Sequence, residues 1–342
     1  MRPDTCVIYN PTAGRGRAGQ LLKEFLADLR VHGDLRPTAA PGHAEELARE
    51  AADRGYAKVV AAGGDGTVHE VANGLLRSGR RDVVFSTWPV GSANDYAYTL
   101  GLAAWWAKRA GTPPTEVLDV DVARVAAGGK ERFAVNAVGV GFNGMVTIEA
   151  RKIRSLRGMP LYTAAFLKAM VRRFATPRVR VRFDGAEADV PTLALTLALA
   201  QREGGFPIRP DADLTDGLLD YMHATRLRRW HLVRYLPAMA TGNLPTDHPL
   251  IRLGRAARVE VASEAPLCAH ADGELVCVPE DGVTELTVEV VPRRMRVEVY
   301  RPGLYGGRAG GQVRFIILFS EGMTTHSPDS RIVTILTPVP PR

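Results

Sequence analysis

A chain of 342 residues, 46% of them hydrophobic, is long and apolar enough for two cores. Three widely spaced cysteines (Cys6, Cys268 and Cys277) argue against a disulfide framework, show no zinc-ligand spacing around His270, and fit a reducing compartment. The formal net charge of +7 favours anionic partners, and the longest apolar run, Leu193–Ala200, is interrupted by Thr196 and too short to span a bilayer.

In chain order, a strand-like run over 5–9 breaks into Asn10-Pro11-Thr12-Ala13-Gly14-Arg15-Gly16-Arg17. Leu21, Leu22, Phe25, Leu26 and Leu29 follow at helical spacing and predict a helix over about 18–31. A strand over about 35–39 and a helix over about 43–55 come next. A buried strand over 58–62 then ends in Gly63-Gly64-Asp65-Gly66-Thr67, before a helix over about 67–78. The strand over 83–88 ends in Pro89-Val90-Gly91-Ser92-Ala93-Asn94-Asp95. Such alternation predicts a parallel sheet covered by helices. Three strands thus finish in loops of Gly, Asn, Asp, Ser or Thr, and in open α/β sheets such loops gather where ligands bind. Glycines let the backbone approach a bulky anion, and the amides that open the next helix favour negative charge. Arg15 and Arg17 add positive charge beside the first loop. The loops read as a phosphate cradle; the plainer alternative for Gly63–Thr67 is a tight turn that needs glycine only for its shape.

Beyond residue 130 the pattern changes. Arg178–Phe183, Thr192–Leu199, Arg258–Val261, Leu286–Val290 and Arg296–Val299 alternate apolar and polar residues at period two, the mark of half-buried antiparallel strands. One helical island, Leu156–Phe174, interrupts them.

Taken together, Asn10-Pro11-x-x-Gly14, Gly63-Gly64-Asp65-Gly66-Thr67 with Glu70 and Asn73-Gly74, and Pro89-x-Gly91-Ser92-x-Asn94-Asp95 resemble the diacylglycerol kinase catalytic domain family, which includes bacterial lipid kinases and sphingosine kinases. Asp216-Gly217-Leu218-Leu219-Asp220 and Asp272-Gly273-Glu274 extend the likeness over roughly residues 5–300. Two departures stand out: Ser92 replaces a usual threonine, and Gln201-Arg202-Glu203 stands where many relatives have Asn-Gly. The resemblance implies an α/β nucleotide-binding domain with a parallel sheet over 1–127, a mostly antiparallel β-sandwich acceptor domain over 128–300, and a tail of unassigned structure over 301–342.

It also implies an ATP- and magnesium-dependent lipid kinase. Asn10, Pro11, Gly14, Arg15, Gly63, Gly64, Asp65, Gly66, Thr67, Gly91, Ser92 and Asn94 would hold the nucleotide. Asp95 and Asp121 would serve the catalytic metal, with Asp65, Asn94 and Glu274 as further candidates and Asp119 as an alternative to Asp121. Asp213, Asp216 and Leu218 would hold a second, structural magnesium; an acidic loop with a simple turn is the rival reading. Asp272 is the expected general base, with Glu274 beside it and Asp65 as its rival in that role. An Asp-Gly hairpin turn is the structural alternative for Asp272.

Between Arg151 and Arg182 there are ten Lys or Arg and no Asp or Glu, interleaved with apolar residues such as Leu156, Phe166 and Phe174. This basic amphipathic stretch suits an anionic membrane surface, and equally a helix packed inward with solvated arginines. No nucleic-acid module is recognised. The sequence therefore predicts a cytoplasmic protein that meets its lipid at the membrane surface, with a homodimer left open. A kinase of a soluble alcohol or nucleotide, similar to NAD kinases, and a non-catalytic nucleotide-sensing module are the alternatives.

Overall fold

The computed structural model describes residues 4–16, 19, 20, 22, 33–103, 106, 115–153, 155, 156, 158–241 and 248–300, all within one unit, Met1–Pro302. Most of the helix expected over about 18–31, and the tail 301–342, lie outside the described residues.

Four parallel strands open the fold: β1 (Thr5–Tyr9), β2 (Gly33–Pro37), β3 (Lys58–Gly63) and β4 (Val84–Pro89), side by side in the order β2-β1-β3-β4. Helix α1 (His43–Asp53) joins β2 to β3, and α2 (Asp65–Ser78) joins β3 to β4. Leu47, Ala48, Ala51 and Ala52 of α1, and Val68, Val71, Ala72, Leu75 and Leu76 of α2, recur at helical spacing and pack into one core with Val7, Ile8 and Val59–Ala62. Three residues of α2 fix its neighbours. Glu70 accepts the N–H groups of Gly42 and Ala44 and so caps α1, whose own N-cap, Gly42, has no side chain to do it. Asn73, fully buried, exchanges hydrogen bonds in both directions with the backbone of Phe133. A Cβ on Gly74 would lie 2.3 Å from the Glu45 carbonyl, so only glycine lets the two helices meet there.

After the short helix α3 (Asp95–Thr99) the chain becomes largely antiparallel. Strands β5 (Thr115–Ala127), β6 (Lys130–Ala134) and β7 (Ala137–Gly141) lead into helices α4 (Phe142–Arg151) and α5 (Gly158–Arg172). Strands β8 (Arg178–Phe183), β9 (Ala186–Ala198), β10 (Arg202–Glu203), β11 (Phe206–Pro207) and β12 (Leu219–Thr225) follow, then helix α6 (Arg229–Thr241). Strands β13 (Ile251–Ala256), β14 (Arg258–Ser263), β15 (Ala269–Ala271), β16 (Glu274–Cys277) and β17 (Glu285–Tyr300) complete it. The order β16-β15-β7-β9-β12-β13 forms one layer, and β9-β8-β14-β17-β5-β6 the other. Val179, Val181, Leu195, Leu197, Val259, Val261, Leu286 and Val288 fill the core between them, the β-sandwich that the period-two strands predict.

The last strand ties the two halves together. β17 pairs with β5 and β14 through its first part, then runs parallel to β4 at Arg296 and Val297. The division expected at 127/128 falls at the β5–β6 turn, and β17 runs past it back to the parallel sheet. The redirection happens at a bulge, where Pro292-Arg293-Arg294 stand opposite the single residue Asp121. Asp121 is fully buried; one carboxylate oxygen accepts the Arg293 N–H (2.8 Å), the other the Gly217 N–H (2.6 Å). It binds the bulge to the loop that carries Asp213 and Asp216.

Removing that carboxylate leaves the Gly217 and Arg293 amides without their side-chain acceptor. Asp121→Ala is expected to lower the unfolding free energy by about 2–4 kcal/mol. Urea denaturation reads this directly; an unchanged midpoint would show that Asp121 bears no structural load.

Candidate active site

The loops after β1, β3 and β4 meet at the carboxyl edge of the parallel sheet, because those three strands are parallel neighbours. The Asn10 side chain accepts the backbone N–H and the hydroxyl of Thr12, shaping the first loop; Pro11 is exposed, and Gly14 and Arg15 lie in the short 3-10 turn Ala13–Gly16. The second and third loops touch backbone to backbone. Val90 and Gly91 both donate to the Gly63 carbonyl, and a Cβ on Gly91 would lie 2.3 Å from Gly64 Cα. Side chains are excluded from this seam, where α2 begins. Thr67 is buried against Gly63, whereas Ser92 is exposed at the rim.

Asp65 ties the loops together. Its two oxygens accept the N–H groups of Asn94 (2.9 Å) and Asp95 (2.7 Å), and Asn94 holds the left-handed turn (φ 53°) that aims them. Burial raises the Asp65 carboxyl above the usual range, against the pull of those donors. Asp95 is buried, accepts the Gly205 N–H with both oxygens, and sits 3.8 Å from the Arg202 guanidinium. Burial, and then the nearby charge of Asp65, push its carboxyl up to about 7.

Asp272 lies across from this pair, in the two-residue turn between β15 and β16. Asp272 (φ 53°) and Gly273 (φ 82°) both adopt left-handed backbone, so the expected hairpin turn and the expected site residue are one and the same. One oxygen accepts the N–H groups of Asn136 (2.8 Å) and Ala137 (3.0 Å). The other accepts the Val135 N–H (3.0 Å) and faces His69 Nδ1 (3.0 Å). Four donors meet the roughly four lone-pair sites of a carboxylate. Glu274, two residues on, is half-exposed and paired with Arg151.

These groups line a cleft of ≈ 1080 Å³, counted out to its open mouth. Asp65, Asp95, Glu203, His270 and Asp272 form its polar floor, and Phe142, Val146, Phe166, Phe206, Ile208 and Met222 its apolar wall. Sequence reasoning did not single out His69, His270, Tyr96, Asn136 or Glu203 as site residues. The alternation His270-x-Asp272 in a strand and the placement of Glu203 before Gly204-Gly205 are the signals that carry them. Burial holds His270 down at about 4, hence neutral; its Nδ1 accepts the Gly273 N–H, which leaves the proton on Nε2, 3.2 Å from Glu203.

The carboxylates expected at metals already accept N–H groups of the chain itself. Asp121 serves the bulge, while Asp213 and Asp216 each accept the backbone N–H two residues on, Thr215 and Leu218 respectively. Asp216 also lies 3.8 Å from Arg255. Among the described residues no group of three or more His, Cys, Asp or Glu is placed to hold a metal. Asp65 and Asp95 do suit a divalent cation: magnesium takes one or two carboxylates with phosphate oxygens and water, and burial raises both carboxyls, the charge of Asp65 adding to the rise at Asp95.

Comparison with known proteins matches both halves of the chain. Residues 4–125 match the diacylglycerol kinase catalytic domain, and residues 136–299 the YegS C-terminal NAD kinase beta sandwich-like domain. A protein named lipid kinase YegS-like from Chromohalobacter salexigens is 33% identical over 79% of this chain and 86% of its own length. The diacylglycerol kinase of Bacillus subtilis is 29% identical over 78% of this chain and 88% of its own. The crystal structure of a diacylglycerol kinase from Bacillus anthracis shares the fold, with a TM-score of 0.63 at 21% identity over 88% of this chain and 97% of that one.

Asp95 takes up its charge in the folded protein only near pH 7, against about 3.9 when unfolded. Its ionisation therefore costs stability progressively as pH rises from about 4 through about 7. The denaturation midpoint should fall over that window, less steeply in Asp95→Asn, and millimolar MgCl2 at pH 8 should raise the wild-type midpoint but not the variant's. Equal responses of the two proteins would remove Asp95 from any cation site.

Proposed function

We propose that this chain, which belongs to the diacylglycerol kinase catalytic-domain family, transfers the γ-phosphate of ATP to the hydroxyl of an amphipathic lipid such as diacylglycerol or a sphingoid base. One observation carries the reading: Phe142, Phe166 and Met222 line the same cleft as the carboxylates Asp65, Asp95 and Asp272, so apolar and acidic surface share one cavity at the glycine loops. A soluble alcohol has no use for such a wall. An acyl chain laid along it gains about 0.8 kcal/mol per buried CH2, which holds the terminal hydroxyl at the floor.

Phosphoryl transfer depends on positioning and on charge stabilisation. In this reading the amides around Gly63–Thr67 and Gly91–Asn94 receive the triphosphate, and Asp65 keeps the two loops in register through its bonds to Asn94 and Asp95. Asp65 and Asp95 would hold a magnesium ion, which would supply neutralisation of charge on the transferring group. The hydroxyl oxygen attacks phosphorus, the bond to the β-phosphate breaks, and the hydroxyl proton passes to a carboxylate of the floor.

The acceptor would come from the membrane surface. No helix among the described residues is long and apolar enough to cross a bilayer. Helix α5 buries Ala165, Phe166 and Ala169 and turns Leu167, Lys168, Val171 and Arg172 outwards, with Val171 67% exposed. On α6, Trp230 (57%) and Val233 (56%) are exposed beside Arg229 and Arg234, and Arg229 stacks over Phe174, next to α5. Mixed apolar and cationic side chains on a pair of helices beside the cleft wall support docking on an anionic leaflet.

The test is transfer of labelled γ-phosphate from ATP with magnesium, to a total lipid extract in mixed micelles and, in parallel, to soluble alcohols and NAD. A labelled lipid is the expected product. Label confined to a soluble acceptor would replace the lipid reading with that of a small-molecule kinase.

A further inference from the structure

Helix α4 borders the cleft with two rows of side chains. Phe142 and Val146 belong to the apolar wall, and Asn143 and Thr147 line the cleft one position further round. The second row continues at a spacing of four to Arg151, in the last turn of the helix. Residues four apart share a helix face, so Arg151 leaves α4 on the side of Asn143 and Thr147, one turn further on. The next cation, Lys152, has a different place. It pairs with the buried Glu149 (2.8 Å), which also takes Arg173 of the segment after α5 (3.0 Å). The helix thus ends on two cations, one tied to its own packing and one sent along the cleft.

Arg151 arrives at the glycine loop. Its Nη2 donates to Glu274 Oε2, and the other oxygen of that carboxylate would lie 3.8 Å from a Cβ built on Gly66. Gly66 stands in the first turn of α2, within the loop read as the phosphate cradle. A guanidinium carried by the acceptor half therefore stands beside the nucleotide loop of the parallel half, with one carboxylate between them. That carboxylate by itself would repel a triphosphate; paired with Arg151, it does not. Both side chains are open to a ligand, at 48% and 47% exposed, and an ion pair so exposed contributes little to stability. The charge of Arg151 also reaches His270, where it adds to the burial that keeps that ring neutral.

We propose that Arg151 binds the terminal phosphates of the nucleotide as they settle on the glycine loop, with Glu274 holding it ready there; this rests on the kinase reading given above. Glu274 engages Nη2, and a guanidinium carries five N–H donors, enough to serve a phosphate as well. Its planar fork matches two phosphate oxygens at once, and its charge persists at every working pH. The position on α4 gives the contact a second consequence. Phe142 and Val146 of the same helix wall the acceptor's side of the cleft, so a nucleotide held by Arg151 ties that wall to the parallel sheet.

Arg151→Gln and Arg151→Lys would be compared with the wild-type protein for binding of ATP and AMP in magnesium chloride by calorimetry, with thermal unfolding of the same samples. Arg151→Gln is expected to weaken ATP about 10- to 100-fold, the usual worth of a hydrogen bond to a charged group. AMP, which lacks the terminal phosphates, should bind it as it binds wild type, and the unfolding midpoint should not move. Arg151→Lys keeps the charge and loses the fork, so it should recover part of the ATP affinity. Unchanged ATP affinity in Arg151→Gln, or equal weakening of ATP and AMP, would overturn the assignment and leave the kinase reading standing. A wild-type protein that binds no ATP would overturn both.

Discussion

The site depends above all on one carboxylate and its four donors. Asp272 gathers the amides of Val135, Asn136 and Ala137, where β6 passes into β7, and His69 from α2 of the parallel half. Its own N–H donates to the Ala137 carbonyl, so side chain and backbone grip the same segment. The side chain is 4% exposed, and His69 behind it is held in turn by Asn73. A buried carboxylate in a saturated network is rigid, and removing any member strands the others. Through it the helix that begins at the glycine loop, the hairpin at the cleft floor and the first strand of the sandwich layer become one body.

That rigidity matters because the floor is electrostatically strained. Asp65, Asp95, Glu203 and Asp272 line one cleft, and burial raises the first three. Such a cluster costs stability in the empty protein and favours whatever brings positive charge or protons to it. The triphosphate would arrive as a complex with a cation, and the acceptor would bring a proton. The crowding of carboxylates along the cleft and the chemistry proposed for it are therefore two sides of one arrangement.

Much of this was legible in the sequence where local physics dominates. Strands ending in glycine-rich loops marked the parallel sheet and its ligand edge, because buried parallel strands and tight turns leave short-range patterns. The period-two segments marked the sandwich for the same reason. What escaped was set by distant partners. Helices α4 and α6 were not expected: α4 begins with Phe-Asn-Gly and α6 with exposed Arg-Trp, and neither shows the strong amphipathic stripe of α1. For Asp121 a motif names a carboxylate but not its bonds; the bulge of β17, some 170 residues later, shows what that carboxylate holds in the fold. Glu203 was noticed as a departure in the acceptor region, yet its closeness to His270 and Asp272 arises from the packing of three separate strands. Glu70 and Asn73 belong to the recognisable motif for structural reasons, one capping α1 and the other anchoring β6.

The central claim is that the apolar wall seats an acyl chain and so delivers a hydroxyl to the acidic floor. It is tested most directly by kcat/KM for a homologous series of alcohol acceptors below their micellar concentrations. If each methylene is buried along Phe142, Phe166 and Met222, kcat/KM should rise by up to about fourfold per CH2, the equivalent of about 0.8 kcal/mol, until the wall is covered, and then level off. A dependence flat in chain length would contradict the account and return the cleft to a polar acceptor.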